Sequence, residues 1–305
     1  MINQSESAFR KILTDVSNGN KVSPRGQLVL EIENYNYTLP PRVKFCNFEA
    51  RKLNEDYIKR EFLWYLRGIP DDHEITNHAT MWQSLINDDN EINSNYGQYI
   101  FKPNEIRGLS QFDAVVKLLG TDKDSRRASM VILSRYHTVD LDSKDVPCTY
   151  ALNFRIRDNK LKMTVHMRSQ DGIFGMGNDA PCFSLIHEMV YVSVRDLYYP
   201  DLEMGEYHHF ADSFHVYERH FTMLNSIVSG SNYVDIDCPQ IKDVKEVEFL
   251  KSWIHSIDYG FTEHYLFRGR YNNLEADSFI KNLVKDQLSN YEFSSWLLTF
   301  KGKQK

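Results

Sequence analysis

The chain has only four cysteines in 305 residues, Cys46, Cys148, Cys182 and Cys238, and no two of them form a CxxC pair. That spacing excludes a disulfide framework and a zinc knuckle, and it fits reduced thiols in a cytoplasmic setting. No apolar run approaches the roughly 20 residues that span a bilayer, and Met1-Ile2-Asn3-Gln4-Ser5 leads into polar residues, so neither a membrane partner nor a secretion signal is expected. A basic excess is missing too: 36 Lys and Arg stand against 42 Asp and Glu, for a net charge of -6, which argues against a broad nucleic-acid face. GxGxxG, Walker, GxSxG and HExxH motifs are all absent. His208, His209, His215 and His220 with Glu218 match no zinc spacing, so no metal is expected. There is no internal repeat and no low-complexity linker.

What remains is an ordinary globular composition, 42% hydrophobic with 18 Tyr and 18 Phe, enough to bury a sizeable core. Apolar spacing predicts helices over Glu6–Asn18, Tyr57–Leu66 (ending at Gly68), Ser110–Leu119, Cys182–Arg195, Val244–Ile254, Ala276–Leu288 and Glu292–Phe300. Ser23-Pro24-Arg25-Gly26 reads as a turn and Gln27–Ile32 as a strand. Residues 71–95 read as loop with short helices. Ala128–Tyr136, rich in Val, Ile and Leu, reads as a buried strand. Two alternating runs, Thr149–Arg157 and Leu161–Met167, joined by Asp158-Asn159-Lys160, read as a hairpin. Phe214–Tyr217 is a short strand or a helix entry. The mixture gives an α+β fold with a substantial sheet.

The segment richest in chemistry runs from Pro147-Cys148 through Arg168-Ser169-Gln170-Asp171 to Asp179. A thiol, an anion-binding arginine and an acid are what chemistry on a nucleotide needs. Cys148 is either a buried small residue or a nucleophile whose pKa nearby cations lower, with Arg168 one such cation. Arg168-Ser169 and Arg126-Arg127 are either solvated ends or phosphate clamps, since the arginine fork matches phosphate oxygens. Glu61 lies inside an apolar helix. If it points inward its pKa rises and it suits proton transfer.

Taken in order, these pieces resemble the thymidylate synthase family. Arg25-Gly26 resembles its phosphate-loop arginine, and Glu61-Phe62-Leu63-Trp64-Tyr65-Leu66-Arg67-Gly68 its Glu-bearing helix. Trp82 and Tyr96-Gly97-Gln98 match its folate-side tryptophan and active-site tyrosine. Asp124-Ser125-Arg126-Arg127 resembles the arginine pair lent to the partner subunit, and Pro147-Cys148 the nucleophile. Arg168-Ser169-Gln170-Asp171 matches the phosphate- and folate-binding signature, with Asp171 on the folate side, and His215-Val216-Tyr217 the pair that holds the sugar hydroxyl. The resemblance covers about Arg25 to about Phe221. It implies a catalytic domain over 1–228, with 229–305 as a divergent helical part of the same domain. It also implies a large mixed sheet with packed helices, a sheet-to-sheet homodimer, and methylenetetrahydrofolate as co-substrate.

The departures set the expected substrate. Where synthases keep an Asn that reads uracil, this chain has Asp179, as in the cytidylate hydroxymethylase branch. Thr149 stands where synthases have His, and the last stretch lacks their apolar tail. A protonated Asp donates to cytosine N3 and accepts from the exocyclic amine. The resemblance therefore implies 5-hydroxymethylation of dCMP or CMP, with dCMP favoured. Cys148 would add at C6, Glu61 and Tyr96 would manage protons, and water would complete the product. Methylation and a dUMP substrate stay open, as does a non-catalytic relic of the fold. Asp179 also reads as a cap for a helix starting near Cys182, and a slip of one residue would make Asn178 the base reader.

Overall fold

A computed structural model describes residues 3–256 and 290–300. The order begins with helix α1 (Gln4–Ser17), strand β1 (Asn20–Val22) and strand β2 (Val29–Leu39), followed by helix α2 (Glu55–Arg67). Short helical turns over Glu74–Asn77 and Thr80–Leu85 lead to α3 (Gly97–Ile100) and α4 (Gln111–Thr121). Then come β3 (Ser129–Val131), α5 (Arg135–Val139), β4 (Thr149–Arg157), β5 (Lys160–Met167) and β6 (Gln170–Asp171). Helix α6 (Phe174–Leu197), β7 (Glu203–Tyr217), α7 (Phe221–Val228), α8 (Val244–Ser256) and a helix over Glu292–Leu298 complete the described chain. The strands form one mixed sheet in the order β1-β2-β7-β5-β4-β3, with β6 also on β7. β7 runs parallel to β5 and β6 and antiparallel to β2.

The expected hairpin is present, and its turn has a physical reason. Asp158 and Asn159 have φ of 52° and 56°, the left-handed pair that a two-residue hairpin turn needs and that these residue types tolerate. Helix α2 starts where Asn54 accepts the Tyr57 N–H and stops at Gly68, left-handed at φ 57°. It is buried on every side from Tyr57 to Arg67. Two of its interior charges are paired, Lys59 with Glu55 at 2.9 Å and Arg67 with Asp72 at 3.0 Å.

Three expectations are corrected. The strand expected over Ala128–Tyr136 shrinks to Ser129–Val131 and gives way to α5. Beyond Val131 the Ile132 and Leu133 N–H groups still bond to the Tyr150 and Thr149 carbonyls, beside an irregularity that β4 carries in its register with β5. The helix expected from Cys182 begins eight residues earlier, at Phe174. Gly175, Gly177 and Pro181 disguised its first turns. Asp171, however, accepts the Phe174 and Gly175 N–H groups at 2.8 and 3.2 Å, and Gly177 leaves the room that the Arg51 guanidinium fills. Asp179 therefore sits well inside the helix and caps nothing. Phe214–Tyr217 is the end of a 15-residue strand, not an isolated one. The helix expected over Ala276–Leu288 lies outside the described residues.

The described C-terminal helices, α8 and Glu292–Leu298, pack on the same body. Val247 and Leu250 of α8 and Phe293 and Leu297 are fully buried, and Lys59 Nζ in α2 donates to the Thr299 carbonyl at 3.0 Å.

Candidate active site

Cys148 stands at the entry to β4 and Arg168 just beyond β5, so the hairpin folds the two together. The Arg168 N–H donates to the Cys148 carbonyl at 2.8 Å. Its guanidinium donates to the carbonyls of Pro147 at 3.1 Å and Val146 at 2.7 Å. The cation beside the thiol is thus where it was expected. Its effect is smaller than expected, however. Burial pushes the Cys148 thiol up, with Asp179 and Asp145 adding to the rise, while Arg168 and Arg25 pull it down without prevailing. At neutral pH the group is therefore a thiol and not a thiolate.

Tyr96 precedes α3, which crosses α2 so closely that a Cβ on Gly97 would lie 1.5 Å from the Tyr65 carbonyl oxygen. That contact stacks the Tyr96 ring on Tyr65 at 5.4 Å, with Phe183 of α6 at 6.0 Å. Burial first, then the nearness of Cys148 and Asp179, keep the Tyr96 phenol well above its ordinary pKa. At neutral pH it is a neutral hydrogen-bonding group.

Two acids face this aromatic wall. Glu61 points inward and is 4% exposed. Its Oε1 accepts the Tyr65 hydroxyl at 3.2 Å, and its buried Oε2 has no hydrogen-bond partner among the described residues. Burial, then repulsion from Asp179, push its pKa up to about 8. Asp179 keeps some residue exposure, yet burial of its carboxyl pushes the pKa up to about 7, despite a bond to Oδ2 from Gln170 Nε2 at 3.3 Å. Asn178, the alternative reader, is committed elsewhere: its Oδ1 accepts from Arg51 Nη2 at 2.9 Å. Both carboxyls are thus raised toward neutrality, the range in which side chains serve as general acids or bases.

Around them lie the remaining expected residues. Arg25 is exposed on the turn before β2 and acts electrostatically on Cys148 and Tyr217. Ser169 sits half-buried where β5 gives way to β6. His215 and Tyr217 at the end of β7 meet edge to face at 4.9 Å. His215 pairs in register with Asp171, and burial lowers its pKa. The two folate-side residues are engaged within the protein. Asp171 holds the start of α6, although a carboxylate has lone pairs to spare. Trp82 is 7% exposed and donates to the Tyr57 hydroxyl at 2.9 Å, so its indole N–H is already satisfied. Arg126 and Arg127 stand exposed on the turn into β3 and join none of these contacts.

Sequence reasoning missed Arg51, Tyr57, Tyr37 and Gln170. Gln170 lay within the motif already singled out, but a buried amide and an exposed one look alike in a sequence. Arg51 had no signal at all. It is 3% exposed, with Nε on the Ile173 carbonyl at 2.9 Å.

The arrangement combines a buried thiol, a cationic rim, two acids of raised pKa and an aromatic wall. The family model described as thymidylate synthase matches residues 6–258. The deoxycytidylate 5-hydroxymethyltransferase of Enterobacteria phage T4 is 31% identical over 186 residues, which are 57% of this chain and 71% of that protein. The deoxyuridylate hydroxymethyltransferase of Bacillus phage SP01 is 26% identical over 259 residues, 77% of this chain and 63% of that protein. A thymidylate synthase of Francisella philomiragia is 23% identical over 254 residues, 78% and 87% of the two chains. The chain belongs to the thymidylate synthase family, enzymes that transfer a one-carbon unit from methylenetetrahydrofolate to a pyrimidine nucleotide.

Proposed function

We propose that this chain hydroxymethylates C5 of a cytosine nucleotide, with dCMP favoured over CMP. The observation that carries the reading is Asp179, an acid with a pKa of about 7 at the place where the alternative reader, Asn178, is tied to Arg51. Cytosine offers an acceptor at N3 and a donor at its amine. A neutral carboxyl can answer both. A site built on such bonds rejects the wrong base by roughly 10⁴, because buried polar groups would be left unpaired.

In this reading the Cys148 sulfur bonds to C6, and its proton passes to a neighbouring base. Electron density moves to C5, which takes the methylene carbon that the folate supplies. Tyr96 and ordered water assist loss of the C5 proton. The buried Glu61 Oε2, without a partner in the described chain, suits a ligand N–H or a water held near N3 and the amine. The carbon–nitrogen bond to folate breaks, water adds to the resulting exocyclic methylene, and the C6–sulfur bond breaks again. Nucleotide, methylenetetrahydrofolate and water thus become hydroxymethyl nucleotide and tetrahydrofolate. Arg25, Arg168 and Ser169 hold the phosphate, and His215 and Tyr217 the sugar, with Trp82 and Asp171 on the folate side.

The reading includes a homodimer in which Arg126 and Arg127 complete the partner's phosphate site. Val131, Tyr150 and Phe210 support it, being exposed apolar residues on β3, β4 and β7 of the one sheet. Residues 229–305 belong, on this reading, to the same domain. No described helix is long and apolar enough to cross a membrane. The likeness to a deoxyuridylate hydroxymethyltransferase over 77% of the chain favours dUMP as the second reading.

Incubation of the purified protein with methylenetetrahydrofolate and dCMP, CMP or dUMP, followed by product mass, tests this. A cytosine nucleotide heavier by one CH₂O unit is expected. A methylated product with dihydrofolate, or turnover of dUMP alone, refutes it.

A further inference from the structure

The reading of Asp179 given above leaves an ambiguity, and this inference rests on that reading and deepens it. A neutral carboxyl carries one donor and one acceptor, and its proton can sit on either oxygen. In one arrangement it matches cytosine. With the proton moved across, the same group accepts from uracil N3–H and donates to O4. An acid free to interchange would take both bases, so an outside contact has to fix the proton.

Gln170 makes that contact. It is 2% exposed and is the one side chain among the described residues that donates to the Asp179 carboxyl, with Nε2 on Oδ2 at 3.3 Å. The charged neighbours of Asp179, Glu61 and Asp171, are acids, and neither is hydrogen-bonded to its carboxyl among the described residues. The amide is itself oriented from behind, since its Oε1 accepts the Tyr37 hydroxyl at 3.1 Å. Tyr37 has little freedom. It lies flat on His209 with centroids 4.7 Å apart and planes 4° from parallel, and the two are partners in the β2–β7 register. His209 Nδ1 is in turn bonded to the Tyr207 hydroxyl at 2.8 Å.

We infer that Gln170 is a positioning residue that holds the acid proton of Asp179 on Oδ1, with Tyr37 setting the amide, and so restricts a two-way reader to cytosine. An oxygen that accepts an N–H is disfavoured as the protonated one. Oδ1–H then donates to N3, and Oδ2 accepts from the exocyclic amine. Uracil meets a donor opposite its own N3 donor and an acceptor opposite its O4.

Gln170→Leu keeps the bulk and removes both amide groups, and Tyr37→Phe keeps the ring stack and removes only the hydroxyl. The full chain and each variant are assayed for tritium release from C5-labelled dCMP and dUMP with methylenetetrahydrofolate. The ratio of kcat/KM for dCMP to that for dUMP is expected to fall roughly 10- to 100-fold in Gln170→Leu, partly through gain on dUMP. In Tyr37→Phe, where the amide can turn, it falls less. Equal losses on both substrates, with the ratio unchanged, mean a merely structural role and overturn the inference. A ligand-free measurement keeps it separate from the cytosine reading. The Asp179 carboxyl stretch, identified by its loss in Asp179→Asn, is titrated by infrared spectroscopy in wild type and Gln170→Leu. Loss of the N–H donor moves its midpoint upward. An unmoved midpoint overturns the positioning role, whichever base the wild-type protein accepts.

Discussion

Replacing Glu61 by Gln should make the protein more stable at alkaline pH and little different at acid pH. Glu61 lies in a helix buried on all sides, and its pKa rises from an ordinary 4.5 to about 8, through burial first and then repulsion from Asp179. Between those two values the folded chain keeps a proton that the unfolded chain has lost. The folded state therefore binds more protons, and stability falls as pH rises through that window. At about 1.4 kcal/mol per pH unit, the displacement from 4.5 to about 8 amounts to roughly 5 kcal/mol. Glutamine stays neutral throughout, and its amide oxygen keeps the Tyr65 bond. Urea unfolding of both proteins, followed by tryptophan fluorescence, gives the difference in stability at each pH. Every other titrating group is common to both and largely cancels. The difference should be near zero at about pH 4.5 and reach several kcal/mol in favour of the variant by about pH 8.5. Parallel curves across that range would show that the carboxyl does not titrate as a buried group, and the argument for its role as a proton carrier would fall with it.

Other outcomes follow from the same contacts. Gly97→Ala places a methyl group 1.5 Å from the Tyr65 carbonyl oxygen, backbone against backbone. A loss of about 3 kcal/mol or more is expected in thermal melts, and an unchanged Tm would disprove the close crossing of α2 and α3. Burial holds the Cys148 thiol above its ordinary pKa of 9.0, so alkylation by iodoacetamide at neutral pH should be slower than that of a free thiol and should climb only in alkali. Rapid neutral alkylation mapped to Cys148 would contradict this. If the sites are composite, mixing inactive Cys148→Ser with an inactive Arg126→Ala, Arg127→Ala double variant should restore about a quarter of wild-type activity. That fraction comes from half the dimers being mixed with one sound site each. No recovery would mean that each protomer works alone.

The hairpin, α2 and its stop at Gly68 were legible because their signals are local: alternation, helical spacing, and turn residues that tolerate positive φ. The start of α6 was not, since the contacts that stabilise it come from Asp171 and Arg51, outside any helical window. The short β3 was misread for a related reason. A run of Val, Ile and Leu shows only that a segment is buried, not how far it stays extended beside β4.

The sequence by itself determined which chemical groups are available and in what order, because motif order and residue type do not depend on folding: a cysteine after proline, an arginine–serine pair, an acid where a relative has an amide. Only the tertiary structure decided their states. A pKa depends on how much water is removed and on which charges lie across the gap, and both are set by elements distant along the chain. Hence Cys148 rests as a thiol, Glu61 and Asp179 hold protons near neutrality, Trp82 turns its indole to Tyr57, and Asn178 belongs to Arg51 while Asp179 meets Gln170.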